Sequence, residues 1–296
     1  MALNIRYTKL PEHQRMAVLH RFVLPAAGAS GPSTSAWLAS LSPWTLLILA
    51  APLLLWPGYA LAASKFSIFD AFGKLLHWLP FLLKSGFSFN ILISLFAMMF
   101  GTIAGAALGL AQISQFRLIS GLAWFITQLF RNSPWLVILF IVLLALPFEI
   151  VIFDIVIRIP DWMKAVFGLS LPVMANISEI VRGAIISVPT AQWESAESLG
   201  FTRHQILWNI ILPQCFKRMI PPWMNWYAIL TMATPLCSLL GVEEIITLSR
   251  QAMEAEDNHP ELLVPFYSFA LCLFFLYCYP IARFTVRLER RYVVKL

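Results

Sequence analysis

Six apolar stretches of about twenty residues each constrain what this chain can fold into. A bilayer core of roughly 30 Å is crossed by about 20 apolar residues in a helix rising ~1.5 Å per residue. Spans of that kind are read at residues 43–63, 87–111, 122–148, 165–187, 215–240 and 262–283. The first, PWTLLILAAPLLLWPGYALAA, carries no charge. Hydrophobic residues make up 59% of the chain and charged residues only 12%, whereas a water-facing surface alone takes roughly 25–35% charged residues. A soluble enzyme, a disordered regulator and a disulfide-stapled secreted domain are therefore excluded, and lipid must solvate most of the molecule. The four cysteines form no C-x-x-C pair and have no histidine at ligand spacing, so neither a metal nor a redox site is expected.

The formal charge is +6, but its Lys and Arg residues form no dense stripe. They read as topology signals around the spans rather than as a nucleic-acid surface. Residues 1–42 read as a solvated tail, with AAGASGPSTSA at 26–36 as a flexible linker. His13, Arg15, His20 and Arg21 break any secretory signal pattern there. Arg6, Lys9, Arg15 and Arg21 lie at one end, and Arg283, Arg287, Arg290, Arg291 and Lys295 at the other. Residues 241–261 instead hold Glu243, Glu244, Glu254, Glu256, Asp257 and Glu261 against Arg250 alone, and read as a solvated extracytoplasmic face. An even number of spans with the positive ends inside places both termini, and the connector 188–214, in the cytosol.

That connector, VPTAQWESAESLGFTRHQILWNIILPQ, is too polar to span and too patterned to be a loose loop. Pro189 stops the preceding helix, and Thr190 can cap a short one whose buried face is Trp193, Ala196 and Leu199. Gly200 suits a left-handed C-terminal position. Thr202 and Gln205 form a T-x-x-Q capping box for a second helix with Ile206, Leu207, Ile210 and Ile211 on its apolar face. Pro213 marks its end or the entry to the next span. The pattern is helix, sharp turn, helix: either a knob that docks in a partner's groove or a hairpin that only joins two spans.

Within the membrane, Gly101 and Gly105 make a G-x-x-x-G pair, read as close helix packing in preference to a dimer motif. Arg131, Asn132 and Pro134 interrupt the third span, and Pro221, Pro222 and Pro235 are expected to bend the fifth. Glu179 and Arg182, at i and i+3, either satisfy each other or leave Glu179, with Asn176 and Ser178, to line a solute path. Arg131 reads as snorkelling to the interface or as a further contact.

The connector resembles the coupling loop of bacterial ABC importer permeases, whose pattern is E-A-A, three residues, G, nine residues, I-x-L-P. Here Glu194-Ser195-Ala196 is followed by Gly200 and by Ile210-Ile211-Leu212-Pro213. Ser195 for Ala is the one departure. Further stretches are similar to the polar amino acid group of these permeases (histidine, arginine, glutamine, glutamate and opine systems). Phe130-Arg131-Asn132-Ser133-Pro134-Trp135-Leu136 resembles F-R-G-T-P-L-L, Ser178-Glu179-Ile180-Val181-Arg182-Gly183 resembles A-E-I-F-R-G-G, and Gly241-Val242-Glu243-Glu244 resembles G-V-P-E. Where the group often has K-D-T-S-L, this chain has Met232-Ala233-Thr234-Pro235-Leu236, without the acid. The likeness covers residues 86–291 and leaves 43–63 as an added helix before a five-helix core.

The resemblance implies an all-α integral membrane fold of about six transmembrane helices, in the bacterial inner membrane. It implies a subunit that moves a polar amino acid or opine-like derivative by alternating access and is not an enzyme by itself. The expected partners are a cytosolic ATPase dimer carrying ATP and Mg, a second identical or related permease subunit (the missing acid favours a heterodimer), a periplasmic solute-binding protein and lipid, with no nucleic acid. Coupling to the ATPase falls to Glu194, Ser195, Ala196, Leu199, Gly200, Arg203, Ile210, Leu212 and Pro213. There Ala196 keeps the contact close and Gly200 sets the angle between the two helices. The substrate path falls to Asn176, Ser178, Glu179, Arg131, Asn132 and Thr234. No cofactor or metal is expected on this chain: Gly73-Lys74 has no P-loop around it. The competing class is an ion-gradient-driven carrier of a small polar solute, which would call for inverted repeats.

Overall fold

The structure, a computed structural model, describes residues 67–152 and 155–292; the expected tail at 1–42 and span at 43–63 lie outside them. Among the described residues, three helices are long and apolar enough to cross a membrane, or up to five spans if each of two bent pairs counts as one.

Helix α1 (Ile68–Phe81) begins at a capping box in which Ser67 Oγ accepts from the Phe69 N–H and the Asp70 carboxylate accepts from the Ser67 N–H. It runs through a π-helical turn, Leu82–Phe87, into α2 (Ser88–Gln112). The combined helix has 45 residues, roughly twice what a ~30 Å core takes. The span expected at 87–111 is thus the second half of a longer helix. Its first half buries Ala71, Leu75 and Leu82 against Leu248, Ala252, Leu262 and Phe266.

The third expected span, 122–148, is two helices. α3 (Arg117–Arg131) and α4 (Trp135–Ala145) meet at 106°. Pro134 disfavours helical geometry in the residue before it. At the break the Leu129 carbonyl accepts from Ser133 Oγ at 2.6 Å, and the Gln128 carbonyl accepts from both the Asn132 N–H at 3.2 Å and Asn132 Nδ2 at 2.8 Å. Beyond α4, the β-branched run that follows pairs as a small antiparallel hairpin, β1 (Glu149–Ile152) with β2 (Ile155–Arg158), in the register Glu149 opposite Arg158.

Helix α5 (Asp161–Ile186) is the spine of the core. Gly101, Gly105 and Gly109 of α2 lie against it. A Cβ on them would come within 2.5 Å of Val173 Cγ1, 2.6 Å of the Met174 carbonyl oxygen and 2.7 Å of the Ser178 carbonyl oxygen respectively. The small-residue stripe therefore serves packing inside one chain.

After α5 come α6 (Thr190–Ser198), a single turn α7 (Arg203–Gln205), a π-helical stretch Ile206–Ile211, α8 (Leu212–Ala233) and a 3-10 segment Thr234–Leu240. Pro221 and Pro222 stand inside α8 and Pro235 is the second residue of the 3-10 segment. A bend of 50° lies beyond all three, at the break after Leu240 where Gly241 takes φ +78°. α9 (Ile245–Ala255), a 3-10 turn Pro260–Leu262 and α10 (Leu263–Tyr292) complete the chain. The acidic stretch 241–261 is therefore not a plain solvated loop: α9 buries Ile245, Leu248, Ala252 and Met253, and Glu244 and Glu261 are buried too.

Candidate functional site

Residues 188–214 build a knob at the end of α5. Pro189, in extended geometry, precedes α6, and Thr190 is its first helical residue rather than its cap. α6 ends in a Schellman turn: the Gly200 N–H donates to the Glu197 carbonyl at 2.9 Å and the Phe201 N–H to the Ala196 carbonyl at 3.2 Å. Gly200 sits at φ +82° with open space where a Cβ would go, so the backbone angle, not crowding, dictates glycine there. The chain reverses and α7 starts at the expected capping box. The Thr202 N–H donates to Gln205 Oε1 at 2.8 Å and the Gln205 N–H to Thr202 Oγ1 at 3.4 Å.

The inner side of the knob is fastened to the membrane helices. Ala196, Ile206 and Ile211 are buried in the main core, with Trp193, Leu207, Ile210 and Leu212 packed partly against it. Gln214 Nε2 donates to Gln192 Oε1 at 3.0 Å, joining α8 to α6. Arg218 Nη1 donates to Ser187 Oγ at 3.0 Å and Cys215 Sγ to the Ala184 carbonyl at 3.3 Å, joining α8 to the end of α5. Arg203 lies over Trp193, 5.5 Å from the ring centroid. The small side chain of Ala196 thus serves close approach to the chain's own body.

The outer side carries Glu194, Ser195, Glu197, Gly200, Pro213 and three large apolar groups: Leu199, Phe201 and Trp208, exposed by 77, 41 and 50%. Leu199 is therefore not on the buried face that helical spacing suggested; the helix ends at it, and the Schellman turn points it outward. Phe201 and Trp208 carry no motif that marks them beforehand. Exposed apolar groups of this size mark a surface for contact with protein or membrane.

Among the expected path residues, the structure gathers three. Arg182 clamps Glu179 with two bonds, Nη2 to Oε2 at 2.9 Å and Nε to Oε1 at 3.3 Å. Arg131, from the end of α3, approaches the same Oε2 at 3.7 Å. Ser178 is fully buried beside them. Its hydroxyl lies 2.9 Å from that of Thr127 and accepts from Gln112 Nε2 at 3.1 Å. Three helices, α2, α3 and α5, so meet at one polar node. Gln112 and Thr127 were not among the expected residues; a polar pair in apolar helices was their only signal.

The other three lie apart. The Asn176 amide donates to its own helix, to the Pro172 carbonyl at 2.8 Å. Asn132 is exposed at the α3–α4 break. Thr234 belongs to a second buried network in which Asn90 Nδ2 donates to Thr234 Oγ1 and to Glu244 Oε2, both at 2.9 Å. Asn90 Oδ1 accepts from the Ile245 N–H at 3.0 Å, and Glu244 Oε1 accepts from the Ile246 and Thr247 N–H groups at 2.9 Å each. This network pins the start of α9 to α2.

Residues 97–294 match the family described as binding-protein-dependent transport system inner membrane component. The chain belongs to that family. Among its relatives, the L-cystine transport system permease protein TcyB of Bacillus subtilis (strain 168) is 31% identical over 217 residues, covering 72% of this chain and 89% of the relative. The arginine transport system permease protein ArtQ of the same organism is 31% identical over 193 residues, covering 65% and 85%. Among solved structures, an amino acid ABC transporter crystallised with histidines superposes with a TM-score of 0.63 at 19% identity, over 77% of this chain and all of that one. An inward-facing methionine transporter, MetNI, gives 0.56 at 15% identity over 73% of this chain and 98% of that one. These two likenesses are of fold alone, and among the described residues that fold is helical but for the β1–β2 hairpin. The knob and the polar node both lie inside the matched region.

Proposed function

We propose that this chain is the permease subunit of an importer that moves a polar amino acid, or an opine-like derivative, across the bacterial inner membrane with energy from ATP hydrolysed on a separate cytosolic subunit. One observation carries this reading: the 190–213 knob continues directly from α5, is hydrogen-bonded to α8 through Gln192 and Gln214, buries Ala196, Ile206 and Ile211 in the core, and leaves Leu199, Phe201 and Trp208 exposed with Glu194 and Glu197. A body fastened to two spans and exposing an apolar face can transmit a push from a partner as a rigid lever. The named functions of TcyB and ArtQ support an amino acid as cargo.

In this reading residues 86–291 form the permease domain, residues 43–63 an added helix, and both termini face the cytosol with the knob. The ATPase dimer, holding ATP and Mg, grips the outer face of the knob. A second permease subunit pairs with this one, and a solute-binding protein delivers cargo from the periplasm. The chain itself performs no bond chemistry. When the nucleotide closes the ATPase dimer, the knob moves, α5 and α8 tilt with it, and the path exchanges its open side. The node of Glu179, Arg182, Arg131, Ser178 and Gln112 lies near the knob end of that path, where ion pairs between helices can re-form as the helices shift.

The test is purification of the complex through a tag on this chain. A P-loop ATPase should accompany it, and ATP hydrolysis in liposomes should rise with the binding protein and one of a panel of amino acids. Uptake that collapses with an ionophore while ATP stays high would instead favour a gradient-driven carrier.

A further inference from the structure

A cavity of about 520 Å³ opens behind the knob, between the ends of α2 and α5 and the start of α7. Its floor is apolar, with Ile113, Ile185 and Leu207; its rim is polar and basic, with Gln115, Arg203 and His204. Glu194 and Glu197, the acids of the knob, do not line it. Arg203 is exposed and is held over Trp193 by its ring contact, which orders the guanidinium without neutralising it.

Position and chemistry together select an occupant. α2 ends at Gln112 and α5 at Ile186, and Ile113 and Ile185 of the floor stand at those two ends, so the cavity lies where helices leave the hydrocarbon layer. A soluble anion has no use for the apolar floor, and an oil has none for the basic rim. A molecule with an anionic head and an apolar body fits both. We propose that this cavity is a binding site for an anionic phospholipid of the cytosolic leaflet, its phosphate at Arg203 and His204 and its upper acyl chain along Ile113, Ile185 and Leu207. Basic pockets between transmembrane helices on the cytosolic side recognise such head groups. The inference rests on the reading above that the knob faces the cytosol. A lipid there would fill the space between lever and body, so that movement of α6 is passed to α5 and α2 rather than lost in the gap.

The test uses the full-length chain with its accompanying subunits in nanodiscs of equal parts phosphatidylglycerol and phosphatidylcholine. Lipid retained after transfer to detergent is read by mass spectrometry, without nucleotide or amino acid. Phosphatidylglycerol should be retained over phosphatidylcholine. Arg203→Glu should lower that preference at least about fivefold, the share of one basic residue at an anionic surface. Ile113→Trp, which fills the floor and keeps the charge, should lower it as well, and excess glycerol phosphate should not. Equal retention of the two lipids, unchanged retention in both variants, or displacement by glycerol phosphate would each overturn the site. Failure of an ATPase to accompany the chain strikes the proposed function instead, and is read from the same preparation.

Discussion

At the scale of single residues, two glycines make opposite demands. Gly200 is needed for its angle: φ is +82° and nothing stands near a Cβ. A side chain in left-handed geometry costs roughly 1–2 kcal/mol, least for Asn. Gly200→Val should therefore leave the protein in the membrane but break substrate-stimulated ATPase activity, while Gly200→Asn should keep most of it; equal loss in both would show that size, not angle, matters there. Gly105 is needed for its absence of bulk, since the Met174 carbonyl oxygen stands 2.6 Å from where a Cβ would be. Backbone cannot step aside as a flexible side chain can. Gly105→Ala should lower stability by roughly 1–3 kcal/mol, read as a drop in melting temperature of the detergent-solubilised protein. The left-handed glycine was legible in the sequence because a helix stop and a helix start stand close on either side of it. The outward turn of Leu199 was not, because helical spacing says nothing about the last residue of a helix.

Elements depend on pairings that local sequence does not display. Asn90 and Glu244 lie 154 positions apart, and nothing near either one announces the other. Their bonds turn an acidic stretch that looked like a solvated loop into a helix start locked against α2. Removing Asn90 strands a buried carboxylate oxygen and the Ile245 N–H, each worth roughly 1–3 kcal/mol. Asn90→Ala and Glu244→Gln should each destabilise, and the double variant should lose less than their sum; strict additivity would dissolve the network. A second tie joins α1 to the end of α9: Lys74 Nζ lies 2.6 Å from Glu256 Oε2, and Trp78 Nε1 donates to Glu256 Oε1 at 3.0 Å. The bond from Lys74 first, and that from Trp78 second, hold the Glu256 carboxyl below its ordinary range. Its contribution is therefore complete above the ordinary glutamate value of ~4.3 and is lost as the pH falls through the depressed one. The melting temperatures of Glu256→Gln and the parent should differ modestly at neutral pH and converge in acid. The helical hairpin at 190–211 was legible because each of its signals is local. The α3–α4 break was legible only as an interruption at Arg131, Asn132 and Pro134, since a proline marks a break without giving its 106° angle.

For the whole molecule, hydropathy places the lipid-facing mass of the chain and motif places the knob, but neither shows how one is fastened to the other. That fastening is carried by Gln192 with Gln214, Ser187 with Arg218, and Ala196, Ile206 and Ile211 in the core. In the proposed mechanism it is what lets a polar connector act as a lever. The central claim is that the outer face of this knob is held by a cytosolic ATPase. The most direct measurement places a photo-crosslinking residue at Leu199 in living cells, with the same residue at Phe69, an exposed position at the start of α1, as control. Leu199 should crosslink to a P-loop ATPase and Phe69 should not. Absence of any ATPase adduct at Leu199, or labelling of a Leu199→Cys variant by a membrane-impermeant reagent added outside the inner membrane, would contradict the account.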